Sequence, residues 1–322
     1  MNDAGLRNLL ESAGPRTQAP RKVEERVYAA MHKTWLELPD SAGRFNRKRV
    51  AAIGGLTLAL AFAGIFTWRL QGPTAPLVAE IAYAAGGYAI VQQGRGVPQS
   101  LTAGATLQTF QGGRLLVKMG EQLSLRMDAD TRVELQSDSR VMLSEGRLFV
   151  DSRNQRIEVR TPSGLRVENL GTQFEIEVGG EQVRVAVREG ELRMDAGGMV
   201  RSAAAQGGAG AILAFEGLEL RSEETLLSTD GHWEWIHLSQ PPFALESSSV
   251  LDFLDWAARE CGLELAFRSE AVKQRASVVT LHGPPIPATL VSRDHIASIL
   301  QTTASLRIAP SEKHQLLIDF WR

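Results

Sequence analysis

The middle of the chain, from about residue 77 to residue 230, alternates between apolar and polar residues with a period of two. That period is typical of β-strands with one buried face. Two hairpins are predicted, because the alternation continues on both sides of a turn sequence, at residues 162–164 and again at residues 179–180. The residues expected to face inward in these hairpins are Ile157, Val159, Leu165, Val167, Phe174, Ile176, Val178, Val183, Val185 and Val187.

A short motif occurs twice in this segment. The sequences "SEGRLFV" at residues 144–150 and "REGELRM" at residues 188–194 each place Glu-Gly before a strand-like run. A repeat of this kind is typical of packed or stacked β-layers. Residues 77–230 are therefore predicted to form a mainly β domain, built as a β-roll, a prism or a sandwich.

The pattern changes at about residue 231, where apolar residues begin to recur at helical spacing. One helix is predicted after Ser248 and Ser249, which suit an N-cap, and it is expected to end at Gly262. A second helix is predicted after Ser292. Short strands are predicted at "FALE" (243–246), "LELAF" (263–267), "VVTLHG" (278–283), "LRIAP" (306–310) and "QLLIDF" (315–320). Residues 231–322 are thus predicted to be a small α+β module with the order β-α-β-β-α-β-β.

An uncharged apolar run at residues 50–67 is 18 residues long, enough for a helix that crosses the hydrocarbon core of a membrane. A basic cluster at residues 44–49 precedes it, so the positive-inside rule places the N-terminus in the cytoplasm and the following residues outside. A cleaved signal peptide would have an unusually long region before the apolar run. A buried core helix would not explain the basic flank. The sequence predicts a transmembrane helix at residues 50–68 and a linker at residues 69–76.

Residues 1–49 are predicted to be a short helical tail in the cytoplasm. An apolar stripe recurs at helical spacing between residues 21 and 38, and a proline follows as a stop. The stripe includes Val23, Val27, Met31 and Trp35. A segment this small cannot bury the stripe by itself. The stripe therefore either binds in a groove of a partner protein, which is the favoured interpretation, or belongs to a marginal helix beside the membrane.

Charge and cysteine content exclude several classes of protein. The net charge of the whole chain is −2, which gives no overall attraction to nucleic acid. Residues 1–49 hold ten Lys/Arg and six Asp/Glu, a net of +4, which places the basic excess beside the predicted membrane helix. Cys261 is the one cysteine, so an intramolecular disulfide is impossible, and no Cys/His cluster suits zinc. No metal or cofactor is predicted.

The hairpin region, "RIEVRTPSGLRVENLGTQFEIEVGGEQVRVAVREGELRM" at residues 156–194, resembles the core signature of FecR-type regulators. That signature is a Thr-Pro-x-Gly turn, a Leu-Gly-Thr-x-Phe-x-Val strand and a Val-x-Val-x-Glu-Gly strand; here Ile176 occupies the first aliphatic position after Phe174. The run that begins at residue 243 resembles the short domain shared by secretins and the N-termini of TonB-dependent transporters. Together the two resemblances extend from about residue 77 to residue 320.

The resemblance implies a single-pass inner-membrane regulator whose cytoplasmic tail inhibits or activates an extracytoplasmic-function sigma factor. It also implies that the periplasmic C-terminal module receives a signal from the signalling domain of a TonB-dependent outer-membrane transporter, often one for iron chelates. The tail of this chain is shorter than the N-terminal sigma-binding region of the longer members of the family. Membrane lipid is the third predicted partner. No direct contact between the protein and nucleic acid is predicted. The alternative is a membrane-anchored periplasmic scaffold, or a transporter-associated binding protein, that has no sigma partner.

The Gly171–Thr172 pair interrupts the alternating pattern and has two interpretations. A threonine hydroxyl can attack the carbonyl carbon of the preceding residue, provided that the peptide is strained and the oxyanion is stabilised. The resemblance implies self-cleavage at this pair, as in FecR-type proteins that cleave themselves at a matching Gly-Thr. The other interpretation is a β-bulge that re-aims the strand. Apart from self-cleavage at this pair, no enzyme activity is predicted.

Three other motifs are given structural interpretations. His232 and His237 lack the spacing of a helical metal pair, so aromatic packing on a surface or between domains is favoured. The "DAD" sequence at residues 128–130 has no further calcium ligands and is predicted to be a turn. The "GGAG" sequence at residues 207–210 does not join a strand to a helix, so a phosphate site is not predicted there.

Overall fold

The computed structural model describes residues 77–91, 100–169 and 171–321. The predicted tail, the predicted transmembrane helix and the linker lie outside these residues. Among the residues described, none of the helices is both long enough and apolar enough to span a membrane. The prediction of a membrane helix at residues 50–68 therefore stays a prediction.

The prediction of a mainly β fold is confirmed. In the part of the chain that the structure describes, fifteen strands join in one continuous sheet. The strands are β1 (Leu77–Ala85), β2 (Tyr88–Val91), β3 (Ser100–Thr102), β4 (Thr106–Thr109), β5 (Arg114–Lys118), β6 (Leu123–Met127), β7 (Arg132–Ser137), β8 (Arg140–Ser152), β9 (Glu158–Arg160), β10 (Arg166–Asn169), β11 (Gln173–Gly179), β12 (Gln182–Ala196), β13 (Met199–Ala205), β14 (Ala209–Glu216) and β15 (Glu219–Leu227). Both predicted hairpins are present, as the antiparallel pairs β9–β10 and β11–β12.

Two long strands fold this sheet into two layers. The first part of β8 pairs with β7, whereas its residues from Gly146 onward pair with β6 and β11. Strand β12 changes partners at Gly190, from β11 and β14 to β10 and β13. Both glycines belong to the Glu-Gly motif that occurs twice in the sequence. The motif therefore marks the two corners where a strand passes from one layer to the other.

The two layers enclose one apolar core, to which alternate residues of most strands contribute. Every inward-facing residue predicted for the two hairpins is buried. One layer contains β6, β11 and the second part of β8, and its outer face carries a second, smaller apolar cluster. Its buried members are Phe149, Ala186, Trp233, Trp235 and Ile236. The last three belong to a 3-10 helix, Gly231–Ser239, which follows β15 and packs on the outside of the sheet.

The C-terminal part contains three helices and a three-stranded sheet. The helices are α1 (Val250–Cys261), α2 (Glu270–Val278) and α3 (Arg293–Thr303), with a short 3-10 turn at Ala288–Leu290. The strands are β16 (Glu264–Phe267), β17 (Leu306–Ile308) and β18 (Gln315–Phe320), in the order β16-β18-β17. As predicted, Ser249 caps α1 at its start, Gly262 ends it in a left-handed conformation, and Ser292 caps α3.

The predicted order of elements in this part is wrong in its middle. The sequence "VVTLHG" does not form a strand, because α2 extends to Val278 and a single bridge between Ser249 and Thr280 follows. Likewise "FALE" forms one bridge, between Phe243 and Ile286. Helix α2 was not predicted. Its buried face is only Val272 and Ala276, so its periodicity in the sequence is weak.

Candidate functional site

The Gly171–Thr172 peptide lies immediately before β11, with Gly171 partly buried and Thr172 buried. Gly171 has φ +84°, a conformation that favours glycine. The Thr172 side chain is 1% exposed. Its carbonyl oxygen accepts a hydrogen bond of 2.9 Å from the Ser152 N–H at the end of β8. Thr172 is therefore anchored to β8 and shielded from bulk water.

The hydroxyl of Thr172 has an unusual environment. Its Oγ1 atom is buried and makes no hydrogen bond within the described residues. Most buried polar groups have a partner, and leaving one without costs about 1–3 kcal/mol. A hydroxyl in this state is not engaged by a competing acceptor. Its orientation relative to the preceding carbonyl carbon is therefore set by packing.

Gly190 covers the peptide from the neighbouring strand β12. A Cβ atom at this position would lie 2.5 Å from the Gly171 carbonyl oxygen and 2.7 Å from Thr172 Cγ2. Gly190 also has φ +79°. Both the close approach and the backbone conformation therefore require glycine at this corner.

A β-bulge lies beside the peptide, on β12 and not at the Gly-Thr pair itself. Gln173 pairs with Glu189, whereas Phe174 pairs with Val187, so Arg188 is the extra residue. A bulge re-aims a side chain. Here it buries the guanidinium of Arg188, and burial lowers the pKa of Arg188 to about 10.

The re-aimed Arg188 binds the C-terminal end of α1. Its Nη2 donates to the Glu260 carbonyl oxygen at 2.8 Å, its Nη1 to the Arg259 carbonyl oxygen at 3.3 Å, and its Nε to the Ser228 carbonyl oxygen at 2.8 Å. The last carbonyls of a helix carry partial negative charge and lack partners within the helix. A buried arginine at this end therefore fixes α1 against the sheet.

A second buried arginine joins the same helix to β6. Arg126 Nη1 and Nη2 donate to the two carboxylate oxygens of Glu260 at 2.7 and 2.6 Å. The two side chains are only 5% and 3% exposed. Arg126 also donates to the carbonyl oxygen of Ile236, at 3.2 Å. This two-pronged ion pair connects the sheet, the 3-10 helix and α1.

The "HWEWIH" sequence forms part of the same interface. The buried carboxylate of Glu175, on β11, accepts from Trp235 Nε1 at 2.7 Å and lies 2.9 Å from His232 Nε2. The hydrogen bond to Glu175 raises the pKa of His232, although burial acts in the opposite direction. Trp233 packs edge-on against Phe149, with ring centroids 6.1 Å apart. These contacts pack the 3-10 helix that contains this run against the outside of the sheet.

Sequence analysis missed the charged part of this interface, formed by Arg126, Arg188 and Glu260. One signal was present: Leu148, Phe149 and Val150 are consecutive apolar residues, which indicates a strand buried on both faces. The predicted partner-binding residues of the tail, Val23, Val27, Met31 and Trp35, lie outside the described residues. The "DAD" sequence is a turn, as predicted, and its Asp128 forms ion pairs with Arg114 and Arg147.

The central segment is similar to a known protein family. Residues 105–193 match the protein family described as "FecR protein", which confirms the resemblance of the hairpin region. No curated protein matches the chain. Two crystal structures of a candidate anti-sigma factor from Parabacteroides distasonis ATCC 8503 are similar at 14% identity. They cover 67% and 66% of this chain and 98% and 97% of their own, with TM-scores of 0.33 and 0.32, too low to support a functional argument.

Proposed function

Because residues 105–193 match the FecR family, we propose that the chain is a single-pass inner-membrane regulator of an extracytoplasmic-function sigma factor. The match to the FecR family is the observation that carries this proposal. The uncharged run at residues 50–67 and its basic flank supply the membrane helix and its orientation. The apolar stripe of the tail supplies a surface for the sigma factor.

The signal in this proposal comes from a TonB-dependent outer-membrane transporter, often one for iron chelates. Its signalling domain is proposed to bind the C-terminal module. Two features support a role in relaying such a signal. The module has its own apolar core, and buried arginines connect it to the sheet that contains the FecR motif. The module therefore has the means to pass a change in its position to that sheet.

Deletion of residues 21–38 is expected to change transcription from promoters that depend on the partner sigma factor. A reporter gene behind such a promoter measures the effect. Replacing Val23, Val27, Met31 and Trp35 with alanine should reproduce it, because these residues form the apolar stripe. Alanine at Glu25, His32 and Lys33 on the opposite face of the same predicted helix is the matched control. Unchanged transcription in the deletion would favour a periplasmic scaffold without a sigma partner.

A second proposed activity is self-cleavage between Gly171 and Thr172, favoured by the buried Thr172 hydroxyl that has no hydrogen-bond partner. The Oγ1 atom attacks the Gly171 carbonyl carbon, an ester bond forms, and the peptide C–N bond breaks. The hydroxyl proton passes to the Thr172 nitrogen, which becomes a free amine. Water then hydrolyses the ester, which leaves a carboxylate on Gly171 and restores the hydroxyl of Thr172.

Thr172→Ala is expected to abolish the fragments 1–171 and 172–322 in the purified full chain, whereas Thr172→Ser should retain them. The reason is that serine keeps a hydroxyl at the same position and alanine does not. Intact-mass spectrometry over a long incubation measures the fragments. Thr161→Ala, at another buried threonine, is the matched control and should cleave normally. Fragments that persist in Thr172→Ala, or a wild-type chain that stays whole, would contradict the proposal.

A further inference from the structure

One arginine of α1 spans three adjacent strands beside the Gly171–Thr172 peptide. Gln173 on β11 pairs with Asp151 of β8 on one side and with Glu189 of β12 on the other. Arg259, in the last turn of α1, donates to the Asp151 carboxylate, and its Nη1 lies 3.5 Å from Glu189 Oε2. Its guanidinium therefore bridges the two acids that flank Gln173.

The arm from Arg259 to Asp151 is a strong contact. Both side chains are largely buried. Burial by itself would raise the pKa of Asp151, but the charge and the hydrogen bond of Arg259, together with the charge of Arg126, act in the opposite direction, and the pKa lies below its ordinary value. On the neighbouring strand, Gln173 pairs with Asp151. Asp151 thus connects helix α1 directly to the first residue of β11.

Each of the three strand residues under Arg259 is bonded to a residue that touches or forms the Gly171–Thr172 peptide. Gln173 follows Thr172 in the chain. Ser152, which follows Asp151, donates its N–H to the Thr172 carbonyl oxygen at 2.9 Å. Gly190, which follows Glu189, packs against the peptide itself. The C-terminal turn of α1 is therefore one residue away from the peptide along all three strands.

We propose that docking of the C-terminal turn of α1 sets the geometry of the Gly171–Thr172 peptide, and that Arg259 is the positioning residue. This inference rests on the proposed self-cleavage. An attack within the chain depends on holding the hydroxyl and the carbonyl carbon in a near-attack arrangement. Loss of the Arg259 bridge frees the start of β11 and lowers the reactivity of the peptide. The state of the C-terminal module is thus transmitted to the bond that is cleaved.

Arg259→Ala in the full chain tests the proposal with two measurements. Fragment formation, followed by mass spectrometry, should slow by about tenfold or more, the scale expected when a positioning contact is lost. Backbone amide exchange at Ser152, whose N–H reports on the contact with Thr172, should become faster. Arg259→Lys keeps the charge but lacks the planar fork that reaches both acids, so it should give intermediate values. If Arg259→Ala does not fold, Arg259→Lys and Glu189→Gln replace it. Both are expected to slow fragment formation and to speed amide exchange at Ser152.

Asp255→Ala is the matched control, because Asp255 lies one turn earlier on α1 and pairs with Arg153 near the end of β8. That pair is 50% and 44% exposed, so its loss should leave both measurements unchanged. Unchanged exchange at Ser152 in Arg259→Ala overturns the inference, and so does faster exchange with an unchanged rate of cleavage. An equal effect in Asp255→Ala also overturns it, since that would indicate general loosening. A wild-type chain that forms no fragments defeats self-cleavage alone, while the exchange measurement still decides whether Arg259 positions the peptide.

Discussion

Glu260→Ala is expected to lower the free energy of unfolding by about 3–5 kcal/mol. The substitution leaves the guanidinium of Arg126 buried at the interface between the sheet and α1, without its carboxylate partner. An uncompensated buried charge costs far more than the loss of a surface ion pair. Chemical denaturation followed by tryptophan fluorescence measures the change, because Trp233 and Trp235 lie at this interface.

Two further variants separate the buried charge from general damage to α1. The double variant Arg126→Met with Glu260→Leu should recover most of the lost stability, because neither charge of this pair then remains buried. Asp255→Ala, which removes an exposed pair on the same helix, should cost at most about 1 kcal/mol. A loss for Glu260→Ala no larger than that of Asp255→Ala would show that the Arg126–Glu260 pair is solvated.

Gly190→Ala is expected to lower the free energy of unfolding by about 2–5 kcal/mol, as the sum of two effects. The positive φ of +79° is unfavourable for alanine. In addition, the new Cβ atom would lie 2.5 Å from the Gly171 carbonyl oxygen, so the Gly171–Thr172 peptide must shift. Chemical denaturation measures the change in the free energy of unfolding. Mass spectrometry should show fewer of the fragments 1–171 and 172–322.

Gly180→Ala is a close control for this substitution. Gly180 lies in the turn between β11 and β12 and has φ +66°, but a Cβ atom there would meet no atom within 4 Å. It should therefore show only the conformational cost of about 1–2 kcal/mol. The difference between the two variants isolates the steric contact with the Gly171–Thr172 peptide. Equal losses of stability would mean that this contact is relieved at no cost.

The strands were predictable where burial on one face dominates the sequence. The alternation of apolar residues with their neighbours in β11 and β12 corresponds directly to the buried face. The apolar residues are Phe174, Ile176 and Val178 in β11, and Val183 and Val185 in β12. The caps of α1 and α3 were also predictable, because a serine N-cap is a local hydrogen bond that needs no tertiary partner. Helix α2 was not, since its few buried residues leave little periodic signal.

The candidate site was only half predictable, for a different reason. The Gly171–Thr172 pair is visible in the sequence, because a glycine and a hydroxyl residue interrupt a regular pattern. The surroundings of the pair are not, since Arg188 is buried by a bulge and Glu260 comes from a helix far along the chain. Long-range contacts between charged groups leave no periodicity in a single sequence. Their residues look like ordinary surface charges until the fold brings them together.

The separation of Arg126 and Glu260 by 134 positions in the chain has a consequence for biogenesis. A chain that leaves the ribosome or a translocation pore from its N-terminus first presents the outer side of β8 and β12 without its cover. Phe149 and Ala186 then remain exposed to solvent until the 3-10 helix and α1 have been synthesised and pack on the sheet. Contacts between residues this far apart in the chain form late in folding, and the intermediates that precede them are prone to aggregate. Nascent chains that stop before residue 231 should therefore be strong clients for holding chaperones.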